Sequence, residues 1–493
     1  MKGSILNSGN KKHVGHMTRR TAIGGALGTA ALAVTLPGCA SQEGAQRDPN
    51  RKPNFLFIMA DDLGYADLSC YGRRDYETPV LDALAASGMM FTNGYANSAV
   101  CSSTRVGLIT GRYQYRIPAG LEEPISNPDL GLEPSHPTLP SLLQEQGYHT
   151  ALVGKWHLGI LPMYGPLKSG YDEFWGNRYG GVDYYTHKVY GERDVWDGEV
   201  PIEVNGYYTD LLADRSIEYL EARAKEADKP WLLSLHFTAP HWPWEAEDEL
   251  GISESARLDE EFDPDAEGSG IGIDHYDGGT LKTYAGMVKS MDENIGRILT
   301  RLADLGMDQD TVVVFTSDNG GERFSDTWPF SGMKTELLEG GIRVPFIVKW
   351  PGLTEAGTTS DVPLMSMDFL PTFVGAAGGS PHPDYPTDGV DFRPALVGET
   401  MPERDMFWRY WSKDQKALRR GRHKYLKMND NEFLFDVIED PLERGNLKDR
   451  MPELFAELKA AHETWNSQML FDPNARSFGM TSDHVAERYD NDS

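Results

Sequence analysis

The stretch that decides the fold is NFLFIMA at Asn54–Ala60, which runs directly into Asp61-Asp62-Leu63-Gly64. A continuous apolar run of this length is typical of a strand that is buried on both faces of a parallel sheet. The two aspartates follow its last residue, so they stand at the carboxyl end of the strand, where open α/β sheets bind ligands. The segment therefore predicts a buried parallel strand with acidic groups at its functional end.

Outward from this strand, the chain alternates between strand-like and helical segments. A helix is predicted after Thr78-Pro79, which supply a cap residue and a proline in the first turn, and Gly88 ends it. Further strands are predicted at Met89–Tyr95, His149–Val153, Trp231–Phe237, Thr311–Thr316 and Val344–Val348, and further helices at Ser102–Thr110, Leu139–Gln146 and Leu281–Leu305. Strands separated by helices indicate an α/β fold with a large mixed, mostly parallel sheet flanked by helices.

The remaining segments differ in composition and in their pattern of apolar residues. Tyr171–Tyr208 is rich in aromatic residues and glycine, and Glu245–Gly279 is acidic and glycine-rich, so both are interpreted as long insertions beside a site. After about Asp391, antiparallel strands are predicted at Met406–Trp411, Lys416–Met428 and Phe433–Val437, with a helix at Pro452–Trp465. We predict a main domain at residues 54–391 and a smaller C-terminal α+β subdomain with an antiparallel sheet at residues 392–493.

Composition excludes several classes of protein. The 493 residues are 40% apolar and 25% charged, which is typical of a globular protein and not of a disordered or fibrous one. The net charge of -28 argues against a general nucleic-acid binder, which needs a basic face to meet phosphates. After the N-terminal segment there is no apolar run long enough to span a bilayer, so a polytopic membrane protein is excluded.

The N-terminal segment has the features of an export signal. It contains basic residues and no acidic one before the apolar stretch Ala22–Leu36: Lys2, Lys11, Lys12, Arg19 and Arg20. The Arg19–Arg20 pair indicates twin-arginine export, and Leu36-Pro37-Gly38-Cys39 resembles a bacterial lipoprotein cleavage box. Residues 1–38 are predicted to be a signal and residues 39–53 a linker. We expect an exported bacterial protein that uses the export machinery and is periplasmic or at the cell surface, either lipid-anchored through Cys39 or soluble.

Two acidic pairs are candidates for a metal site. Asp61-Asp62 and Asp318-Asn319 each follow an apolar strand, and the carboxyl ends of such strands converge on one crevice. Carboxylate and amide oxygens are hard ligands that suit Ca²⁺ and are acceptable to Mg²⁺. These residue types also favour turns, and either pair alone would be explained that way. Together, each at the end of a buried strand, they favour a metal.

A second candidate element is Cys101-Ser102-Ser103-Thr104-Arg105, which opens a predicted helix running into Thr110-Gly111-Arg112. A thiol at a helix N-terminus near an arginine is predicted to be activated as a thiolate, and a buried structural cysteine is the alternative. The pattern resembles the Cys-x-[Pro/Ala]-x-Arg motif, followed by Thr-Gly-Arg, of the type I sulfatases in the alkaline-phosphatase-like superfamily. Ser103 stands where that family usually has proline or alanine.

Further blocks in the same order extend the resemblance from about Lys52 to Asn446. They are Gly154-Lys155-Trp156-His157-Leu158-Gly159, Ala239-Pro240-His241, Gly332-Met333-Lys334 and Glu339-Gly340-Gly341-Ile342-Arg343-Val344-Pro345. The resemblance implies sulfate-ester hydrolysis by a formylglycine hydrate, made from Cys101 by a formylglycine-generating maturation enzyme. It implies one Ca²⁺, held by Asp61, Asp62, Asp318, Asn319 and the group at position 101. Arg105, Lys155 and Lys334 are implied as cations around the sulfate, His157 as a base, and His241 as the proton donor to the leaving oxygen.

The aromatic residues near these blocks suggest the substrate. Aromatic faces beside a pocket suit stacking on sugar rings, so a sulfated carbohydrate is predicted rather than a free aryl sulfate; the candidates are Trp175, Tyr179, Tyr184, Tyr185, Trp242, Trp244 and Trp328. Packing within loops is the alternative for each of them, and His236 is interpreted as core packing. Two other functions stay open: a phospho- or phosphonate-ester hydrolase of the same fold, and a non-catalytic lipoprotein that binds sulfated glycans if Cys101 is not converted.

Overall fold

The computed structural model describes residues 51–121, 123, 129–189, 192–247, 279–410, 414–472 and 475. These residues all belong to one compact unit. The predicted signal, the lipidation site Cys39 and most of the second predicted insertion lie outside the described residues. Within the described part, no helix is both long and apolar enough to cross a bilayer.

The main sheet has ten strands. From edge to edge they are β13 (Thr358–Ser360), β2 (Met89–Phe91), β12 (Phe346–Lys349), β11 (Thr311–Ser317), β1 (Asn54–Ala60), β10 (Trp231–His236), β4 (His149–Gly154), β5 (Glu173–Gly176), β8 (Trp196–Asp197) and β9 (Val200–Pro201). The strands from β11 to β5 are parallel, whereas β12 runs antiparallel to both of its neighbours. The predicted mixed, mostly parallel sheet is confirmed.

Strand β1 is apolar after Asn54, from Phe55 to Ala60, because both of its faces are covered. Leu56 and Ile58 pack into one hydrophobic cluster, and Phe55, Phe57 and Met59 pack into another. Alternate residues of a strand point to opposite faces, so a strand with helices on both sides needs apolar residues at every position. The sheet is therefore the middle layer of an α/β/α arrangement.

The helices that cover the sheet agree with this division. Those of the main region are α1 (Pro79–Ser87), α2 (Cys101–Thr110), α3 (Leu139–Glu145), α4 (Tyr208–Ala224), α5 (Leu281–Asp304), α6 (Glu339–Ile342), α7 (Phe369–Ala376) and α8 (Arg393–Leu396). Helices α1, α4 and α5 contribute to the Leu56 cluster, and α2, α3 and α7 contribute to the Phe57 cluster. Helix α5 shows the helical period clearly, with buried residues at Tyr284, Met287, Val288, Met291, Ile295, Ile298 and Leu302.

The C-terminal part forms a separate antiparallel sheet, as predicted. Its strands are β15 (Asp405–Tyr410), β16 (Gln415–Arg420), β17 (His423–Met428) and β18 (Asn431–Asp436), and α9 (Pro452–Asn466) packs on it. A third hydrophobic cluster combines Val100, Leu337 and Leu338 with Trp408 and Trp465. The division of the chain at residues 391 and 392 stays a prediction.

Three sequence expectations differ from the structure. The single strand expected at Met89–Tyr95 is two strands, because β3 (Gly94–Tyr95) leaves the main sheet and pairs with β14 (Leu364–Met365). The strand expected at Lys416–Met428 is a hairpin that turns at Gly421, whose φ of 54° suits a two-residue loop. Residues 171–208 are not simply an insertion, since they supply β5, β8 and β9 to the main sheet and a small ribbon of β6 (Lys188–Val189) and β7 (Glu192–Arg193).

Candidate active site

The two predicted acidic pairs meet at the carboxyl ends of β1 and β11. These strands pair in parallel, with Ala60 opposite Ser317, so the residues that follow them stand side by side. Side-chain atoms of Asp61, Asp62, Asp318 and Cys101 all lie within 4.8 Å of one another, and all four residues are buried. The structure thus brings together residues more than 200 positions apart in the sequence.

The backbone at Asp62 explains how two successive carboxylates reach one cluster. Successive side chains of a strand point to opposite faces, but Asp62 adopts a left-handed conformation with φ of 60°. Its backbone N–H donates a hydrogen bond to Asp318 Oδ1 over 3.3 Å. Strained backbone of this kind clusters at functional sites. His157 also adopts a left-handed conformation, with φ of 59°.

Cys101 stands at the first position of α2 and is buried against the acidic cluster. Its Sγ lies 3.4 Å from Asp61 Oδ1 and 3.7 Å from Asp62 Oδ1. Burial raises the pKa of the Cys101 thiol well above its ordinary value, and Asp318 and Asp61 raise it further. The expectation of a thiolate activated by Arg105 is wrong, because that guanidinium is already paired with Asp318.

Each of the three carboxylates has its own cationic partner. Lys155 Nζ lies 2.6 Å from Asp61 Oδ2, and Lys334 Nζ lies 2.7 Å from Asp62 Oδ2. The Arg105 guanidinium donates to Asp318 Oδ2 through Nε at 3.0 Å and through an Nη atom at 2.8 Å. Such charge-assisted hydrogen bonds hold both partners in fixed positions. The three cations predicted to surround a sulfate therefore all line this cluster.

The surroundings shift the pKa values of Asp61 and Asp318 in opposite directions. Burial raises the pKa of Asp61 well above its ordinary value, and the negative charge of Asp318 adds to the effect. Asp318 is equally buried, but Arg105 and Lys155 outweigh the loss of solvation and hold its pKa below the ordinary value. Asp318 is thus ionised throughout the neutral pH range.

Two histidines complete the polar lining. His241 Nε2 lies 3.6 Å from Asp62 Oδ2, and its Nδ1 contacts the carbonyl oxygen of Trp242. His157 Nδ1 is buried without a hydrogen-bond partner. Burial lowers the pKa of both imidazoles well below the ordinary value, and nearby lysines lower it further. Both rings are therefore neutral in this arrangement, so His157 is able to accept a proton.

The donor set fits a hard divalent cation. Asn319 Nδ2 donates to Asp62 Oδ1 over 2.6 Å, whereas its buried Oδ1 has no hydrogen-bond partner. A buried carbonyl oxygen is almost always paired, so an oxygen left over beside three carboxylates is what a metal site needs. The oxygens of Asp61, Asp62, Asp318 and Asn319 together suit a hard divalent cation.

The predicted sugar-stacking residues occupy different surroundings. Trp175, Tyr184, Trp242 and Trp244 are buried in the core, and Tyr179 and Tyr185 pack against it. The Tyr184 hydroxyl donates to the His241 carbonyl oxygen over 2.9 Å, so Tyr184 helps to hold the backbone of His241 in place. Trp328 is 62% exposed, which leaves its face available to a ligand.

Sequence reasoning missed three neighbours of the site. Gly180 and Gly181 lie against the rings of His157 and His241, where added Cβ atoms would stand 2.6 and 3.2 Å from the respective Cε1 atoms. The Gly-Gly pair within an aromatic segment was the available signal. Glu322 Oε1 lies 3.7 Å from Lys334 Nζ. His236, interpreted as core packing, is buried and has its Nδ1 3.4 Å from the Arg105 guanidinium.

Comparison with known proteins identifies the family. A family model described as Sulfatase matches residues 53–380. The chain belongs to the sulfatase family. A second model, described as N-sulphoglucosamine sulphohydrolase, C-terminal, matches residues 333–468 of this sulfatase. The predicted membership of the sulfatases and their alkaline-phosphatase-like superfamily is confirmed, and the protein is an enzyme that hydrolyses sulfate esters.

Individual relatives cover most of the chain. N-acetylgalactosamine-6-sulfatase of Canis lupus familiaris is 31% identical over 398 residues, which are 76% of this sulfatase and 71% of the relative. The crystal structure of Ps i-CgsB in complex with k-i-k-neocarrahexaose is 28% identical, has a TM-score of 0.76, and matches 89% of this chain and 98% of that one. The structure of BT4656 in complex with its substrate D-glucosamine-2-N,6-O-disulfate is 25% identical, has a TM-score of 0.66, and matches 85% and 98%.

Proposed function

We propose that this sulfatase removes sulfate from a sulfated carbohydrate, with Cys101 converted to formylglycine and one Ca²⁺ bound beside it. The observation that carries the proposal is the buried cluster at the ends of β1 and β11. There Cys101 contacts two carboxylates, three acids are each paired with a cation, and the oxygen of Asn319 has no partner. This combination suits an anionic substrate, a metal and a modified side chain at one point.

The two absent groups would supply the nucleophile and additional positive charge. When bound, formylglycine as its hydrate provides a hydroxyl for attack on sulfur, and Ca²⁺ offsets negative charge on the sulfuryl oxygens. Asp61, Asp62, Asp318 and Asn319 would hold the ion. Arg105 keeps Asp318 ionised and fixed, which would secure one of these ligands.

The remaining polar residues have roles that follow from their positions. Lys155 and Lys334 would stabilise charge that develops on the sulfuryl group, since fixed donors in a buried site act without reorganisation. His241 would take up a proton at Nε2 when the anionic sulfate ester binds and hand it to the departing sugar oxygen, because this nitrogen faces the cluster while Nδ1–H donates to the Trp242 carbonyl oxygen. His157, neutral and with an unpartnered Nδ1, would accept the proton that must leave the position-101 group before sulfate is released.

The choice of a carbohydrate rests on the relatives and on one exposed ring. The names of these relatives refer to sugars: N-acetylgalactosamine in the first, and bound k-i-k-neocarrahexaose and D-glucosamine-2-N,6-O-disulfate in the two solved structures. Trp328 lies on the chain segment between Asp318 and Lys334 and presents its face to solvent. A ring in this position would stack on the sugar that bears the sulfate or on its neighbour.

We further propose export through the twin-arginine route to the periplasm or cell surface. The basic residues before Ala22–Leu36 and the Cys39 box support this location, with Cys39 as the lipid anchor. Labelling with a fatty-acid analogue in a bacterial host tests the anchor. Label retained by the Cys39→Ala variant would contradict lipidation at that residue.

The proposed chemistry is tested by producing the protein together with a formylglycine-generating enzyme. Mass spectrometry of the peptide containing Cys101 measures conversion, and release of inorganic sulfate is then screened on defined sulfated oligosaccharides, an aryl sulfate, a phosphate monoester and a phosphonate monoester. We expect conversion at Cys101, sulfate release from an oligosaccharide, and no release in the Cys101→Ala control. An intact thiol together with full activity would contradict the formylglycine proposal. Activity on the aryl sulfate alone would contradict the assignment of a sulfated carbohydrate as the substrate.

A further inference from the structure

The loop that carries Lys334 is held from two sides. On the main-sheet side, the Lys334 N–H donates to the Gly321 carbonyl over 3.0 Å and the Thr335 N–H donates to the Ala99 carbonyl over 2.8 Å. On the other side, the buried carboxamide of Gln415, the first residue of β16, donates to the Thr335 carbonyl over 2.9 Å and accepts from the Leu337 N–H over 2.7 Å. The Gln415 side chain of the C-terminal sheet thus bridges the Thr335 carbonyl and the Leu337 N–H, one and three residues after the lysine.

The bridged segment is held in an unfavourable conformation. Thr335 has φ of 73°, and a β-branched residue in the left-handed region is a genuine outlier. Such a conformation persists only where the surroundings fix it from several directions. Thr335 directly follows Lys334, so relaxation of its backbone would rotate the peptide plane that sets the direction of the lysine side chain. The 2.7 Å contact between Lys334 Nζ and Asp62 Oδ2 depends on that direction.

The C-terminal region also holds both ends of this loop. The Ser331 hydroxyl donates to the Leu442 carbonyl over 2.8 Å, and Glu443 Oε2 accepts from the Glu339 N–H over 2.6 Å. These contacts anchor the loop, whereas Gln415 reaches its middle, beside the lysine. A methionine at position 415 would fill similar space but offer neither the donor nor the acceptor, and a glutamate would keep the acceptor alone.

We propose that Gln415 is a positioning residue for Lys334, through which the C-terminal sheet affects the rate of sulfate-ester hydrolysis. The inference rests on the proposed role of Lys334 in stabilising charge on the sulfuryl group. It assigns to the C-terminal sheet a part in catalysis in addition to its packing. Gln415 acts through the backbone of Thr335 and Leu337.

A double-mutant cycle tests this inference. Gln415→Met and Gln415→Glu are each made in the full chain with Lys334 present and with Lys334→Ala, and kcat and KM are measured per formylglycine from sulfate release. The substrates are 4-nitrophenyl sulfate and the oligosaccharide found by the screen. Glu432→Gln is the matched control, because Glu432 bonds Tyr425 and Lys459 within the same C-terminal part and does not contact the loop. Crystal structures of the variants give the distance from Lys334 Nζ to Asp62 Oδ2.

The expected result is a loss that depends on Lys334. A displacement of about 1 Å costs about 10²-fold in rate, so Gln415→Met should lower kcat by about that factor when Lys334 is present, and by less than about threefold in Lys334→Ala. Gln415→Glu should follow the same pattern, Glu432→Gln should keep the wild-type kcat, and the Lys334 ammonium should move away from Asp62. Equal losses in both backgrounds, or unchanged kcat in both Gln415 variants, would overturn the inference while leaving the proposed function intact. Full activity of Lys334→Ala would overturn the proposed role of the lysine and this inference with it.

Discussion

Replacing Gly180 with alanine tests how tightly the ring of His157 must be held. An ideal Cβ on Gly180 would lie 2.6 Å from His157 Cε1 and 2.8 Å from Nε2. Non-bonded carbon atoms stand about 3.5–4.0 Å apart, so the imidazole must retreat by about 1 Å to admit the methyl group. Gly180 is not among the glycines with positive φ, so alanine adds no backbone strain and the perturbation is steric.

This displacement translates into a rate. Misplacing a catalytic group by about 1 Å costs about 10²-fold, or about 2.7 kcal/mol of transition-state stabilisation. We expect Gly180→Ala to lower kcat by about 10²-fold and to leave KM within a factor of about three, because His157 is proposed to move a proton and not to bind the sugar. The assay is the initial rate of sulfate release per formylglycine.

Two further glycines provide the scale and the control. A Cβ on Gly181 would lie 3.2 Å from His241 Cε1, so Gly181→Ala requires a shift of only a few tenths of an ångström and should cost less. Gly445, where a Cβ would meet only Asp440 Oδ2 at 3.3 Å, is remote from the site, and Gly445→Ala should be neutral. A Gly180→Ala enzyme with wild-type kcat would refute the reasoning, as would an undiminished loss in a His157→Ala background, where no ring remains to be displaced.

Three other predictions concern the metal, the pH dependence of stability and the substrate. Chelation should lower the melting temperature, since Ca²⁺ at 100 times its Kd adds about 2.7 kcal/mol to the free energy of unfolding; Asn319→Leu should weaken this Ca²⁺-dependent shift in calorimetry, and an unchanged shift would contradict Asn319 as a ligand. Burial raises the pKa of Glu443 from its ordinary 4.5 to about 7. Between these two pH values the folded state retains a proton that the unfolded chain releases, so the free energy of unfolding should fall as the pH rises from 4.5 to about 7. Glu443→Gln should flatten this part of the pH profile of the melting temperature, and parallel profiles would show that another group is responsible. Trp328→Ala should lower kcat/KM for the sulfated oligosaccharide by about 2–10-fold, as expected for loss of a stacking contact of about 0.5–1.5 kcal/mol, with 4-nitrophenyl sulfate unaffected; equal losses on both substrates would argue against stacking.

The parts of the fold that were predictable from sequence are those in which local pattern and tertiary environment agree. Strands β1 and β11 have continuous apolar centres because they are covered on both faces, and each is followed by a pair of polar residues of the candidate site. The convergence of these pairs follows from the parallel sheet alone. The helix predicted at Ser102–Thr110 is likewise present, because α2 begins at Cys101 and Gly111 ends it in a left-handed conformation with φ of 65°.

The parts that were not predictable depend on contacts that no local pattern records. The Cys101 thiol was expected to be activated, but Arg105 is neutralised by Asp318, which is 213 positions away. Strands β16 and β17 are separated by only Gly421 and Arg422, so their pattern is continuous in the sequence. The aromatic residues of Tyr171–Tyr208 are equally suited to a pocket wall or to a core, and only the tertiary structure distinguishes Tyr184, which is buried, from an exposed ring such as Trp328.

The hydrophobic cluster shared by the two regions has a consequence for how sulfatases of this kind are able to diversify. Val100 and Leu338 precede the predicted boundary at residues 391 and 392, and Trp408 and Trp465 follow it, yet all four pack in one cluster. A chimera joined at that boundary from two parents would combine mismatched halves of a single core, whose close packing tolerates volume changes poorly. We expect the two regions to be inherited together, with new substrate ranges arising in exposed segments such as the one that carries Trp328.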